Sequence, residues 1–262
     1  MAEPTVFVDK RGPIAHLVLN RPNKRNALTW EMWRQLGACV DELEADGEIK
    51  VVVVRGADSS AFAAGADIDE FGAVHASPES GRDYSDTMLA SEQKLFQLTK
   101  PTVAQIQGPC IGAGCAIALC CDVRIADPTA KFAVPPGRLG LAYSLFGTKR
   151  LVDAVGTSMA KHMLFTATTL DAEAALGAGL VDQLHDGSVV ADAVRAYAEK
   201  ICSLSRYSTL ATKKIVGMIL DGTVEESEET RQIFLDAFQG KDFKEGRAAF
   251  LEKRKPKFTF KG

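Results

Sequence analysis

The chain has 262 residues, of which 46% are hydrophobic, and its formal net charge is −3. A chain of this size and composition buries a large core, as one domain or as a domain with an appendage. So small a net charge provides no basic field for nucleic acid or an anionic membrane, and neither is an expected partner.

The N-terminal residues and the apolar segments predict a soluble, cytoplasmic protein. The start, "MAEPTVFVDKRG", lacks the basic stretch and apolar run of a secretory signal. The longest candidate membrane span, residues 111–121, is too short for a bilayer and contains glycines.

The first third of the chain predicts strands and one amphipathic helix. The segments "TVFV" and "IAHLVLN" flank residues 10–13, which is typical of a β-hairpin. Thr29 is expected to cap a helix with one apolar face. That face contains Met32, Trp33, Leu36, Val40 and Leu43. The β-branched run at 49–56 predicts a strand covered on both faces.

The middle of the chain repeats this order. A helix is predicted over 84–99, ending before Pro101. Strands are predicted at 102–108 and 122–127, with a glycine loop and an apolar helix from about 113 between them. From about residue 144 the pattern is mostly helical, so we expect a layered α/β core followed by helices.

Six cysteines are interpreted as small packing residues in a reducing compartment. They are Cys39, Cys110, Cys115, Cys120, Cys121 and Cys202. None forms Cys-x-x-Cys, and the four histidines also lack the spacing of a metal site. No metal is expected.

Two glycine-rich loops, each between a strand and a helix, are the candidate site. Loop one is Ala64-Gly65-Ala66-Asp67, and loop two contains Gly108 and Gly112-Ala113-Gly114. Helix starts leave backbone N–H groups unpaired, and small residues let a ligand approach them closely. Two such groups converging on one oxygen form an oxyanion hole. The alternative is that these glycines serve only tight turns and close helix packing.

Other glycine or nucleophile motifs fit poorly. In "GPCIGAGCAI", Ile117 stands where a dinucleotide fingerprint has its third glycine. The chain has no Gly-Lys-Ser/Thr phosphate loop and no Gly-x-Ser-x-Gly nucleophile elbow.

Four segments, in order along nearly the whole chain, resemble the crotonase superfamily, also called the enoyl-CoA hydratase/isomerase family. They are "LNRPNKRNAL" (19–28), "AFAAGADIDEF" (61–71), "GPCIGAGCAIALCCDVRIA" (108–126) and "EGRAAFLEKRKPKF" (245–258). The resemblance implies an α/β spiral of ββα units over residues 1–200 and a C-terminal helical trimerisation region over 201–262. It also implies a homotrimer or dimer of trimers that acts on acyl-CoA, with coenzyme A as part of the substrate and no permanently bound cofactor.

The resemblance also implies roles for individual residues. The thioester oxygen would accept hydrogen bonds from the N–H groups of Ala66 and Ala113. In the same loop region, Asp67 belongs to the implied coenzyme A site. The adenine end of coenzyme A would lie near Ala64 and Ile68. Arg25 would approach the phosphates. Lys253 would reach a phosphate and Phe234 would cover adenine, either within one chain or across a subunit boundary. Asp69 occupies a place that lysine often holds in hydratases.

Both glutamates of the family's hydration mechanism are replaced. Their positions hold Ala116 and Pro136, and neither side chain moves a proton. The stretch 129–151 especially resembles the methylmalonyl-CoA decarboxylase branch, which has a tyrosine at Tyr143 but a histidine and a glutamate at Ala66 and Ala116. Decarboxylation or isomerisation is therefore favoured, with Tyr143 contributing a hydroxyl. A weak or unconventional hydratase and a non-catalytic acyl-CoA binder remain the alternatives.

Overall fold

The computed structural model describes residues 4–260, in which strands and helices alternate until the chain becomes almost wholly helical. The strands are β1 (Val6–Arg11), β2 (Ile14–Leu19), β3 (Val51–Gly56), β4 (Thr102–Ile106), β5 (Pro109–Ile111), β6 (Val123–Ala126), β7 (Lys131–Ala133), β8 (Leu170–Asp171) and β9 (Gln183–Leu184). The α-helices are α1 (Trp30–Ala45), α2 (Phe71–Val74), α3 (Pro78–Gln97), α4 (Ala113–Leu119), α5 (Leu145–Thr166), α6 (Ala172–Gly177), α7 (Val190–Cys202), α8 (Arg206–Leu220), α9 (Glu228–Gln239) and α10 (Lys241–Leu251).

The strands form two sheets. The larger has the order β1-β2-β3-β4-β6-β9 and is parallel except for the β1–β2 hairpin. The smaller has the order β5-β7-β8, with β5 and β7 parallel. Strands β4 and β6 are each followed in sequence by a strand of the smaller sheet and then by a helix. The fold is thus the expected α/β spiral of ββα units.

The β3 strand is covered on both faces, as its β-branched sequence predicts. Val52 and Val54 belong to the main core, which also contains the buried face of α1. Val51 and Val53 pack on the other face, in a second cluster that includes Val190 and Val194 of α7. The alternation of strand side chains between two faces explains this division.

Helix α1 begins and packs as the sequence predicts. The Thr29 hydroxyl accepts a hydrogen bond from the Met32 N–H (3.1 Å) and so caps the helix. All five residues of the predicted apolar face are buried.

Helix α3 is longer than predicted. It starts at Pro78 rather than at 84, because Ser77 caps it by accepting a hydrogen bond from the Ser80 N–H (3.2 Å) and proline fits the first turn. The extra turn and a half is mostly exposed and polar, so its hydrophobic pattern is weak.

Four of the six free cysteines are buried and two are partly buried, which confirms their packing role. Burial raises the pKa of Cys110 and Cys120 well above the ordinary range, so both stay as neutral thiols.

Between residues 4 and 260, no group of three or more His, Cys, Asp or Glu side chains is arranged to hold a metal ion. Over the same range, every helix is too short or too polar to cross a bilayer.

Candidate active site

The two glycine loops lie side by side because loop one pairs with β5. Ala63 and Cys110 form a parallel bridge, in which the Ala63 N–H donates to Pro109 O (3.0 Å) and the Ile111 N–H donates to Ala63 O (2.9 Å). Gly65 also approaches β5, since an ideal Cβ on it would lie 3.4 Å from Ile111 O. The loops therefore meet where the sequence motifs require, although they are separated by more than forty residues.

The backbone N–H groups of Ala66 and Ala113 have no acceptor among residues 4–260. In loop one, the Leu28 N–H donates to Gly65 O and the Asp67 N–H donates to Leu28 O, both at 2.8 Å, so Ala66 between them turns its own amide away from Leu28. Ala113 is the first residue of α4, where no intrahelical acceptor exists. Both alanines are partly exposed, so a ligand oxygen can reach these donors.

Each donor follows a glycine with positive φ. Gly65 has φ +113° and Gly112 has φ +52° with ψ −108°, backbone conformations that residues with a Cβ rarely adopt. These glycines orient the peptide groups that carry the two N–H donors.

Gly114 allows the loops to touch. A Cβ at this position would lie 2.4 Å from Ala63 O and 3.0 Å from Ala63 Cβ. The contact is with backbone and with a side chain that has no freedom to move aside, so a larger residue would push the loops apart.

The two positions that hold glutamates in hydratases contribute no proton-transfer group. Ala116 is buried one turn into α4, and Pro136 opens a 3₁₀ turn that extends to Leu139. Neither side chain has a titratable atom, so any acid or base in the site must come from elsewhere.

Tyr143 lies over the start of α4. Its hydroxyl donates a long hydrogen bond to Gly112 O (3.3 Å), next to the Ala113 donor. An ideal Cβ on Gly147 would lie 2.7 Å from the Tyr143 ring, so Gly147 leaves room for it. Burial raises the pKa of Tyr143 well above its ordinary value, so the hydroxyl keeps its proton at neutral pH.

Four of the residues assigned to coenzyme A lie together around loop one. The Ala64 N–H donates to Arg25 O (2.9 Å), and Arg25 and Ile68 are both exposed. The Asp67 carboxylate is nearly buried and forms an ion pair with Arg21 Nη1 (2.6 Å). Asp67 therefore stabilises the loop, and its side chain is already engaged.

Phe234 and Lys253 lie apart from these four residues. Phe234 is exposed on α9, which packs on α8 and α10, and Lys253 is exposed just after α10. No described contact joins either residue to loop one within a single chain. Asp69 forms an ion pair with Lys24 (2.9 Å), which lies in the segment 19–28 but was given no role from the sequence.

Glu92 is a buried carboxylate that was not among the residues expected from the sequence. It lies on the inner face of α3 with 2% of its surface exposed, and its Oε2 has no hydrogen-bond partner. Burial raises the pKa of Glu92 to about 7. The sequence pattern that could have indicated this buried carboxylate is a charged residue on an otherwise apolar helix face. Glu92 lies one turn before Phe96, on a face that also contains Tyr84, Met88 and Leu95.

Comparison with known proteins gives one family. A family model described as enoyl-CoA hydratase/isomerase matches residues 9–261. The chain is 33% identical over 260 residues to a probable enoyl-CoA hydratase of Mycobacterium bovis, with 99% of each chain covered. It is 34% identical over 252 residues to the short-chain-enoyl-CoA hydratase of Clostridium acetobutylicum, with 95% of each covered.

A solved structure agrees with these relatives. The chain superimposes with a TM-score of 0.95 on a protein from Hyphomonas neptunium assigned to the enoyl-CoA hydratase/isomerase family, at 38% identity and with 98% of each chain covered. These names refer to hydratases and isomerases, and they give no support to the local resemblance to the decarboxylase branch. A spiral α/β fold, two adjoining glycine loops and full-length sequence matches thus agree, and the chain belongs to the enoyl-CoA hydratase/isomerase family of the crotonase superfamily.

Proposed function

We propose that this protein stabilises the enolate of an acyl-CoA thioester and uses it for decarboxylation or isomerisation rather than for two-glutamate hydration. One observation carries the proposal. The N–H groups of Ala66 and Ala113 lie on two touching loops and have no acceptor among residues 4–260, while Ala116 and Pro136 stand where hydratases have their carboxylates.

Both reactions use the two donors in the same way. In decarboxylation, the bond from C2 to the departing carboxylate breaks, its electron pair forms the C1–C2 double bond, and the carbonyl pair moves to the thioester oxygen. In isomerisation, a proton leaves C2 with the same electron movement and returns at C4. Charge develops on the oxygen in each case, and preorganised N–H groups stabilise it. The proton that remains on the Tyr143 hydroxyl suits it to orient the acyl group.

The chain would bind coenzyme A at the surface formed by Arg25, Ala64 and Ile68. The exposed Arg25 guanidinium provides a cation for a phosphate, and the exposed Ile68 provides an apolar contact for adenine. We place Phe234 and Lys253 in the same site only through a neighbouring subunit.

A mass-spectrometric screen of acyl-CoA thioesters tests the reaction type. The panel contains carboxyacyl, 3-enoyl and 2-enoyl thioesters, with chromatography to separate isomers of equal mass. We expect loss of CO₂ or movement of a double bond, and crotonyl-CoA hydration well below roughly 10 per second. Each missing carboxylate removes a contribution of about a hundred- to ten-thousandfold. Efficient hydration of crotonyl-CoA would contradict the proposal.

Hydration by another residue is the second candidate, because the curated relatives described above are named hydratases. The same screen detects it as the addition of water. If the protein binds thioesters in calorimetry but converts none of the panel, it is a non-catalytic binder and the enzyme assignment is wrong.

The C-terminal helices are expected to form a trimer or a dimer of trimers. Phe234, Phe238 and Phe243 stack edge to face with centroids 5.2 Å apart, yet each is more than 40% exposed. Phe250 is 84% exposed on α10. Large apolar patches of this kind mark interaction surfaces.

Truncation before Thr223 is therefore expected to abolish assembly and to weaken thioester binding, measured by light scattering and calorimetry. The matched control is Lys253→Asn, which removes one charge while tolerating the left-handed backbone at that position (φ +53°). The control should remain assembled and bind coenzyme A modestly less well at low salt, because an exposed phosphate contact is screened as salt rises. A monomeric intact chain would show that this assembly does not exist.

A further inference from the structure

The structure contains a buried carboxylate that the proposed mechanism has not used. Glu92 belongs to the inner face of α3. Residues four apart on a helix lie above one another, so Tyr84, Met88, Glu92 and Phe96 form one stripe along this face. We call these four residues the α3 stripe.

One end of the α3 stripe adjoins loop one. The Tyr84 ring contacts the Trp30 ring (6.2 Å between centroids), and the Trp30 N–H donates to Glu70 Oε2 (2.8 Å) just beyond loop one. Burial is the main cause that raises the pKa of Tyr84, and the carboxylates of Glu70, Glu92 and Asp67 add to it. Tyr84 is therefore within electrostatic range of the carboxylates at loop one and of Glu92.

The other end of the α3 stripe adjoins loop two through Tyr143. Phe96, one turn after Glu92, packs edge to face on Phe146 with centroids 5.8 Å apart. Phe146 follows Tyr143 by three residues, and the Tyr143 hydroxyl lies on Gly112 O beside the Ala113 donor. Glu92 is close enough to the Tyr143 hydroxyl for its charge to contribute to the raised Tyr143 pKa, after burial and Cys115.

Within the described part of the chain, Glu92 forms no ion pair in this position. The titratable or charged groups near it are Tyr84 on its own helix, Cys120 just after α4, Tyr143 just before α5, and Arg150 on α5. Arg150 stacks on the Phe96 ring (4.1 Å) and its Nη2 pairs with Asp153 (3.2 Å), while its buried Nε and Nη1 form no hydrogen bond to the described residues. Among residues 4–260, no hydrogen bond or ion pair to Glu92 is formed.

An unpaired carboxylate in a protein core lowers the stability of the fold. A buried group of this kind therefore calls for an explanation, and a catalytic role is one. Glu92 lies on the α3 stripe between the end that adjoins loop one and the end that adjoins Tyr143, so an acyl chain extending from the two donors toward α3 would meet it. A carboxyl group there can carry the proton that neither Ala116 nor Pro136 can carry.

We infer that Glu92 is the acid–base residue of this site, taking a proton from C2 of the bound acyl group and returning one to the enolate. This inference rests on the proposed function. The Glu92 carboxylate accepts the C2 proton, the C–H electron pair forms the C1–C2 double bond, and the carbonyl pair moves to the oxygen held by Ala66 and Ala113. The reverse transfer from the Glu92 carboxylic acid restores both groups. A group that titrates near pH 7 is suited to both directions.

Exchange of the C2 hydrogens of butyryl-CoA with deuterium oxide measures this step without knowledge of the natural substrate. The intact protein is expected to catalyse exchange, with a rate that rises as Glu92 ionises near pH 7. Glu92→Gln should lower the rate by about a hundredfold or more while butyryl-CoA binding, measured by calorimetry, changes less than threefold. Glu79→Gln, an exposed carboxylate near the start of the same helix, should exchange like the wild type.

The outcomes separate this inference from the function on which it rests. If the wild type binds butyryl-CoA but exchanges nothing, or if its exchange is independent of pH between 5 and 9, Glu92 is not the base although the thioester site stands. Full exchange by Glu92→Gln would likewise show that Glu92 is not the base. If the wild type binds no acyl-CoA at all, the proposed function fails as well.

Discussion

Replacing Gly114 with alanine is expected to lower the free energy of unfolding by about 2–4 kcal/mol and to abolish acyl-CoA binding. The added Cβ would lie 2.4 Å from Ala63 O, the carbonyl that accepts the Ile111 N–H and so joins the two loops. The clash is resolved only by moving loop one away from α4. Such a movement separates the Ala66 donor from the Ala113 donor.

Gly217→Ala is the matched control for this change. Gly217 lies within α8, and a Cβ there meets no atom within 4 Å. Alanine favours the helix by up to about 1 kcal/mol over glycine, so this variant should be as stable as the wild type or more so. Urea unfolding and calorimetry with butyryl-CoA measure both effects. A Gly114→Ala protein that binds as tightly as the wild type would show that the contact between the loops does not set the donors.

Replacing Glu92 with glutamine is expected to stabilise the protein at pH 8 by up to about 3 kcal/mol and to have little effect near pH 4. Burial raises the Glu92 pKa from 4.5 to about 7, so the folded protein keeps a proton that the unfolded chain has lost. The stability from this proton is fully present below pH 4.5 and is lost as the pH rises through about 7. Glutamine has the same shape and no charge to desolvate, so its variant lacks that loss.

Urea unfolding of the wild type and of Glu92→Gln across this pH range measures the difference. Glu79→Gln, an exposed carboxylate near the start of the same helix, is the control and should show no gain in stability as the pH rises. Parallel stability curves for the wild type and Glu92→Gln would mean that Glu92 ionises as freely in the folded protein as in the unfolded chain.

Much of the fold could be predicted because it depends on local signals. The Thr29 cap, the apolar face of α1 and the doubly covered β3 strand each follow from residue types at fixed spacing. The start of α3 could not be predicted in this way, since its first turns are exposed and have no apolar period. There the helix depends on Ser77 and Pro78 at its beginning.

The candidate site, like the fold, has features with a local sequence signal and features that depend on distant packing. The two glycine loops were visible in the sequence, because small residues at helix starts have a local physical reason. The pairing of Ala63 with Cys110 was not visible, since it depends on how distant strands pack. Glu92 was also missed, because a glutamate within a helical pattern is usually exposed and only the packed structure shows that this one is buried.

The central claim is that two backbone N–H groups hold and polarise a thioester carbonyl. Infrared difference spectroscopy of butyryl-CoA labelled with carbon-13 at C1 observes this carbonyl directly. We expect the bound carbonyl to absorb at lower frequency than the free one. The shift should be smaller in Gly112→Ala, where the new Cβ meets no atom but the backbone at φ +52° is strained. A carbonyl that binds without any shift would contradict the account.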